Sequence, residues 1–209
     1  MTSEFRDKRY SGRVLGIDLM DAVLETRRWS KLQLIVEAAP IDRQQGGVQA
    51  GRKLAGVFTF AGQTTHGMFE AVIAKPDSDD GLLIANFEWI SEHGLRLLRA
   101  VAGDRKPEET GEQPAMKVIF THGTVNWSLS GFLLDNYRGA LKSGDRFRGM
   151  IWTDKLQEPG LFGAHAVRIE QTRHTLSAKF DDLPAHTFAL LEAIINKSLT
   201  ALSKTPAHV

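Results

Sequence analysis

The sequence predicts a mainly β chain, built as two tandem small antiparallel β-barrels, each closed by a C-terminal helix. Three observations predict it. Short runs rich in β-branched and aromatic residues alternate with turn residues along most of the 209 positions. A strand–turn–helix pattern occurs twice, 93 positions apart, with Ala85 matching Ala178. Between the two copies lies a charged, proline-containing stretch that lacks apolar residues.

In the first half, Arg13–Leu19 and Lys31–Val36 read as strands. Leu54–Phe60 and Gly67–Ala74 read as a hairpin across Gly62-Gln63, and Leu82–Phe87 as the last strand. Ser91 is a good N-cap, and Leu95, Leu98 and Val101 form an apolar stripe at helical spacing behind it. Residues 38–53 are polar and Gly-rich, hence an extended loop. In the second half, Met116–Phe120, Val125–Leu134, Arg146–Trp152, Ala164–Glu170 and Thr175–Phe180 read as strands. Pro184 then opens a helix with Phe188, Leu191, Ile195 and Leu199 as its stripe. Ala85, Phe87, His93, Leu97, Leu98 and Ala100 match Ala178, Phe180, His186, Leu190, Leu191 and Ala193 without a gap, which favours a duplication over convergence.

Composition places the boundary. Residues 1–103 form the first unit, 104–115 the linker and 116–209 the second unit. Units of this size hold only a marginal core each, so the halves are expected to bury surface against one another. The net charge of +1 provides no general field for a polyanion, and nucleic acid is not an expected partner. No cysteine is present, which excludes disulfides, Cys-ligated zinc, iron–sulfur clusters and a thiol nucleophile. The polar N-terminus does not read as a signal peptide, and no apolar run approaches the length of a transmembrane helix. A cytoplasmic location without membrane insertion is expected.

The most specific motif is Asn126-Trp127-Ser128-Leu129-Ser130-Gly131, followed at once by the apolar Phe132-Leu133-Leu134. Asn126 and Ser128 carry short side chains able to bond backbone or a ligand at a turn, and Gly131 tolerates positive φ or a close backbone approach. These residues resemble the Asp/Asn-x-Ser-x-x-Gly motif of PilZ domains, small split-barrel-type β-barrels of which many bind the bacterial second messenger cyclic di-GMP. The strand–turn–helix ending resembles the end of PilZ domains too, so the chain reads as a tandem PilZ-like protein whose first domain is degenerate.

The resemblance implies ligand contacts at Asn126, Ser128 and Gly131. It also implies an Arg-x-x-x-Arg motif just before the first barrel strand, whose guanidinium groups would hold phosphates and guanines. Here the sequence departs from the family. That segment offers Arg105 and Lys106, and Glu109 stands where a second arginine would. Arg105 is therefore the cation assigned to the site. The chain's literal Arg-x-x-x-Arg lies at Arg9–Arg13, which permits a composite site across an interface.

Other residues read more simply. Trp127 alternates with Asn126 and Ser128, so it faces the other way, into a core or interface. Arg146 and Arg148 share a strand face beside core-facing Phe147; a solvated face is the simpler reading and a flank of the Asn126 site the alternative. Arg168 and Arg173 carry the same two readings. The histidines show no metal spacing. His165 and His174, on adjacent strands, lack carboxylate company, and His93 and His186 are helix-start residues. No Gly-x-Ser-x-Gly, His-Glu-x-x-His or phosphate-loop pattern occurs, so no enzyme, cofactor or metal is expected. The resemblance implies a cyclic di-GMP receptor or adaptor that regulates motility or exopolysaccharide production by docking on a protein partner. The alternative is a PilZ-fold interaction scaffold that binds no nucleotide.

Overall fold

The computed structural model describes residues 15–20, 23–37, 49–77, 81–102, 114–153 and 158–203, with the backbone alone at 75–77 and 197–203. Arg105, the rest of the expected linker up to residue 113, and the Arg9–Arg13 pair lie outside the described residues. The elements in order are β1 (Gly16–Asp18), β2 (Val23–Thr26), β3 (Gln33–Glu37), β4 (Lys53–Phe60), β5 (Gly67–Asp77), β6 (Leu82–Ile90) and α1 (Glu92–Ala102). They continue with β7 (Met116–Ser128), β8 (Gly131–Leu134), β9 (Arg146–Trp152), β10 (Gly160–Glu170), β11 (Thr175–Asp182) and α2 (Ala185–Ser203). The chain is mainly β.

Among the described residues one closed six-stranded barrel is present, and the expected second tandem barrel is not seen as a closed ladder. The strands of the closed barrel run β1-β9-β10-β11-β8-β7, and β7 returns to β1 through Gly16↔Gly123 and Ile17↔His122, all antiparallel. The other half is an antiparallel sheet in the order β2-β7-β4-β5-β6-β3. Its end strands approach one another: Ile35 N donates to Arg28 O at 2.8 Å, and Thr26 Oγ1 to Ile35 O at 2.5 Å. The sheet thereby wraps its own core.

Strand β7 belongs to both halves. Residues 116–121 pair with β4, and residues 124–128 with β8. Sequence analysis divides this stretch into two strands, at 116–120 and from 125 onward, yet the backbone stays extended throughout. The polar Thr121-His122-Gly123-Thr124 looks like a break, but pairing to β1 carries the ladder through it. β1, from the N-terminal end, completes the barrel of the C-terminal half. The pairing thus crosses the expected linker in both directions. β2, absent from the sequence reading, is a short run whose only periodic cue is weak; it exists because Val23–Thr26 lies in register on Ile119–Met116.

Each half has its own apolar core. The barrel holds Trp127, Phe132, Phe162 and Leu176, closed by Leu190, Leu191, Ile194 and Ile195 of α2. The other core holds Phe58, Phe69, Leu83 and Met116, with Leu97 and Leu98 of α1. Ser91 caps α1 as its sequence predicts, accepting the Gly94 N–H at 3.1 Å. Leu95 departs from the expected stripe and is exposed, with Leu97 buried in its place. His93 and His186 are each the second residue of their helix. His66 Nε2 bonds Thr153 O at 2.9 Å and its ring meets Trp152 edge-on at 4.9 Å, which ties the two halves together away from β7.

Candidate functional site

The turn between β7 and β8 is where the motif falls. Ser128 pairs with Gly131, so Leu129-Ser130 is a two-residue hairpin loop. Ser128 Oγ accepts the Ser130 N–H at 3.2 Å and shares a 2.8 Å bond with the Ser130 hydroxyl. Ser130 O in turn accepts the Phe180 N–H at 2.9 Å, docking the loop on β11. Gly131 has a steric reason: a Cβ there would stand 2.2 Å from Ala178 O. Its role is close approach rather than positive φ. Asn126 lies opposite Leu133 beside a bulge that leaves Val125 exposed. Trp127 is buried in the barrel core, as the alternation requires.

The register sets a row of outward side chains beside this turn. Gly131 lies opposite Lys179, Lys179 opposite His165, and His165 opposite Arg146. Their neighbours Ala164, Ala166 and Ala178 face the core, so these three cationic or basic side chains face out. At the usual strand spacing the row spans about 14 Å from Gly131 to Arg146. Asp181 lies within it. Its carboxylate takes His165 Nδ1 at 2.6 Å and Arg146 Nε at 3.7 Å. The sequence reading that His165 lacks a carboxylate is corrected here, because the β10–β11 register brings in Asp181, sixteen residues away. Lys179 and Arg148 are exposed and form no ion pair among the described residues. Arg168 and Arg173 both turn to Glu170 instead.

Sequence reasoning missed a second polar locality. Where β7 changes partners, a cleft of about 350 Å³ opens between the halves. His122 and Gly123 form part of its wall, with Thr121, Thr124, Asp135, Asn136 and Trp89. His122 is buried, and burial together with the nearby Arg52 charge lowers its pKa to about 4, so the ring is neutral near pH 7. Burial raises the Asp135 carboxyl above the ordinary carboxylate value. The hydroxyls of Thr121 and Thr124 are sealed from solvent without a hydrogen-bond partner. A signal existed in the run Thr121-His122-Gly123-Thr124, four consecutive small or polar residues between the apolar Val118-Ile119-Phe120 and Val125.

Among the described residues, no group of three or more His, Asp or Glu side chains could hold a metal ion. Nor is any helix among them long and apolar enough to cross a membrane. No protein-family model matches the chain, and no curated protein matches it. Among solved structures, an inhibitor of motility from Bacillus subtilis (MotI/DgrA) aligns with 90% of this chain and 98% of its own, at 14% identity and a TM-score of 0.32.

Proposed function

We propose that the chain is a non-catalytic, PilZ-like receptor or adaptor whose barrel face at the β7–β8 turn takes cyclic di-GMP. The reading makes it a cytoplasmic regulator of motility or exopolysaccharide production that acts on a protein partner. One observation carries it: the Asn126-x-Ser128-x-x-Gly131 turn sits on a barrel wall in register with Lys179, His165 and Arg146. Two phosphate charges require cations, and the row offers Lys179 and Arg146 in place of the missing arginine motif. Lys179 is the first of these from the turn, and Arg105 remains the candidate from the preceding segment. Asn126 would contribute its side-chain amide. Ser128 would act by holding the loop, since its hydroxyl serves Ser130.

Strand sharing bears on how a signal would travel. A ligand at one end of β7 pulls on the same strand that carries β2 and β4 at its other end. A local shift of β7 fits this better than a hinge between independent domains. The second reading is a scaffold that binds no nucleotide. It is favoured by Asp181, which already neutralises part of the basic row.

Calorimetric titration with cyclic di-GMP separates the two. The receptor reading expects micromolar or tighter binding, weakened at least tenfold by Lys179→Glu and less by Ser128→Ala. No heat with a folded protein would overturn it and leave the scaffold.

A further inference from the structure

The cleft at the middle of β7 is built differently from the barrel face. β7 pairs with β4 up to Ala55↔Thr121 and with β8 from Thr124↔Leu134. The residues between them, His122 and Gly123, pair with β1. The cleft lies where these ladders part. Gly16 admits Thr121 there, since a Cβ on it would meet Thr121 Oγ1 at 2.8 Å. Thr121 is only 3% exposed. Asp135 and Asn136 enter from the other side, on a loop pinned by Tyr137, whose N–H donates to His174 O at 2.7 Å. Asn136 holds a left-handed backbone at φ 52°, a conformation Asn accepts more readily than most residues.

A buried hydroxyl without a partner destabilises a fold. Thr is isosteric with Val, which would fill the same space without that cost. Two such hydroxyls in the lining of one cleft are therefore a feature the fold does not need.

The chemistry of the wall narrows the occupant. At about 350 Å³ the space stands near the lower end of ligand pockets, at roughly 300–1,000 Å³. That suits one ring system rather than a dinucleotide. Asp135 and Glu70 line it, Lys53 is drawn to Glu88 at 3.0 Å, and the Arg52 charge acts on His122, so the wall carries both signs and suits a ligand without net charge. Asp135 accepts N–H donors, and neutral His122 offers one donor and one acceptor; the threonine hydroxyls, sealed from solvent, donate to a ring nitrogen or carbonyl only when the wall shifts to admit one. Trp89 supplies flat apolar surface. We propose that this cleft is a second binding site, for a small uncharged nitrogen heterocycle that presents donors and acceptors on one edge, as a nucleoside base does.

The test titrates the full chain with adenosine, guanosine and cytidine, and with ribose 5-phosphate as the anionic control, read by saturation-transfer NMR. At least one nucleoside binds at millimolar concentration or below, and ribose 5-phosphate does not. Thr124→Val leaves the chain folded with a raised thermal midpoint and weakens that binding about tenfold, the loss expected for one hydrogen bond to a buried group. Asp135→Asn weakens it as well. Absence of binding by all three nucleosides to the folded wild-type chain would overturn the proposal. So would binding that neither substitution changes, or equal binding of ribose 5-phosphate. Failure here leaves the barrel-face reading untouched, because Ser128 and Lys179 take no part in the cleft.

Discussion

Two stretches of β7 stand a few residues apart and treat polar groups in opposite ways. At the turn, the Ser128 hydroxyl, the Ser130 N–H and the Ser130 carbonyl all have partners within the barrel. At the crossing, the hydroxyls of Thr121 and Thr124 have none, and His122 is buried in its neutral form. The motif with the recognisable spacing is the self-satisfied one. The stretch with unspent hydrogen-bonding capacity has no recognisable spacing at all. A motif can therefore mark a geometry the fold requires, while chemistry is held in reserve elsewhere on the same strand.

Two glycines break the comparison most sharply. Gly131→Ala forces a Cβ to within 2.2 Å of the Ala178 carbonyl, a clash of backbone with backbone. A loss of about 3 kcal/mol or more is expected in denaturant unfolding. Gly123→Ala, at the crossing, places its Cβ 3.6 Å from Asp135 Oδ1, an ordinary contact. Its effect belongs at the other end of the scale, within about 0.5 kcal/mol of wild type. Equal effects of the two would remove the distinction between a tight turn and an open crossing.

Next in size is the response to acid. His122 has a folded pKa of about 4 against an unfolded value of 6.5, so between those values the unfolded chain binds the extra proton. Its contribution to stability is complete above about pH 6.5, declines as pH falls toward 4, and is gone below that. The whole change is on the order of 3 kcal/mol. His122→Gln should flatten this part of the stability–pH curve, measured by chemical denaturation at several pH values. An unchanged curve would place the titration elsewhere.

A smaller effect sharpens the contrast. Thr121→Val removes a buried, unpartnered hydroxyl without changing shape, and should raise stability by about 1 kcal/mol. Ser128→Val should do the reverse, because it strips the Ser130 N–H of its acceptor.

Much of the fold was legible because its periodicity is strong. The β4–β5 hairpin, β9, β10, β11 and both strand–turn–helix endings follow from alternation, turn residues and the Ser91 cap. β2 was not legible, since four residues with an exposed valine carry too little pattern. Neither was the sharing of β7 and β1 between the halves, which is a matter of long-range pairing that local sequence does not encode. The candidate site divides in the same way. Asn126, Ser128 and Gly131 are visible as a motif. Lys179, His165 and Asp181 become neighbours of it only through register, and the His122 cleft only through the partner change on β7.

The most direct test of the central claim is an amide chemical-shift titration of the full chain with cyclic di-GMP. The account predicts saturable shifts at Asn126–Gly131, Lys179 and His165, with those at His122–Thr124 smaller and following them along β7. Shifts confined to His122–Thr124 and Asp135, or none anywhere, would contradict the assignment of the barrel face as the receptor site.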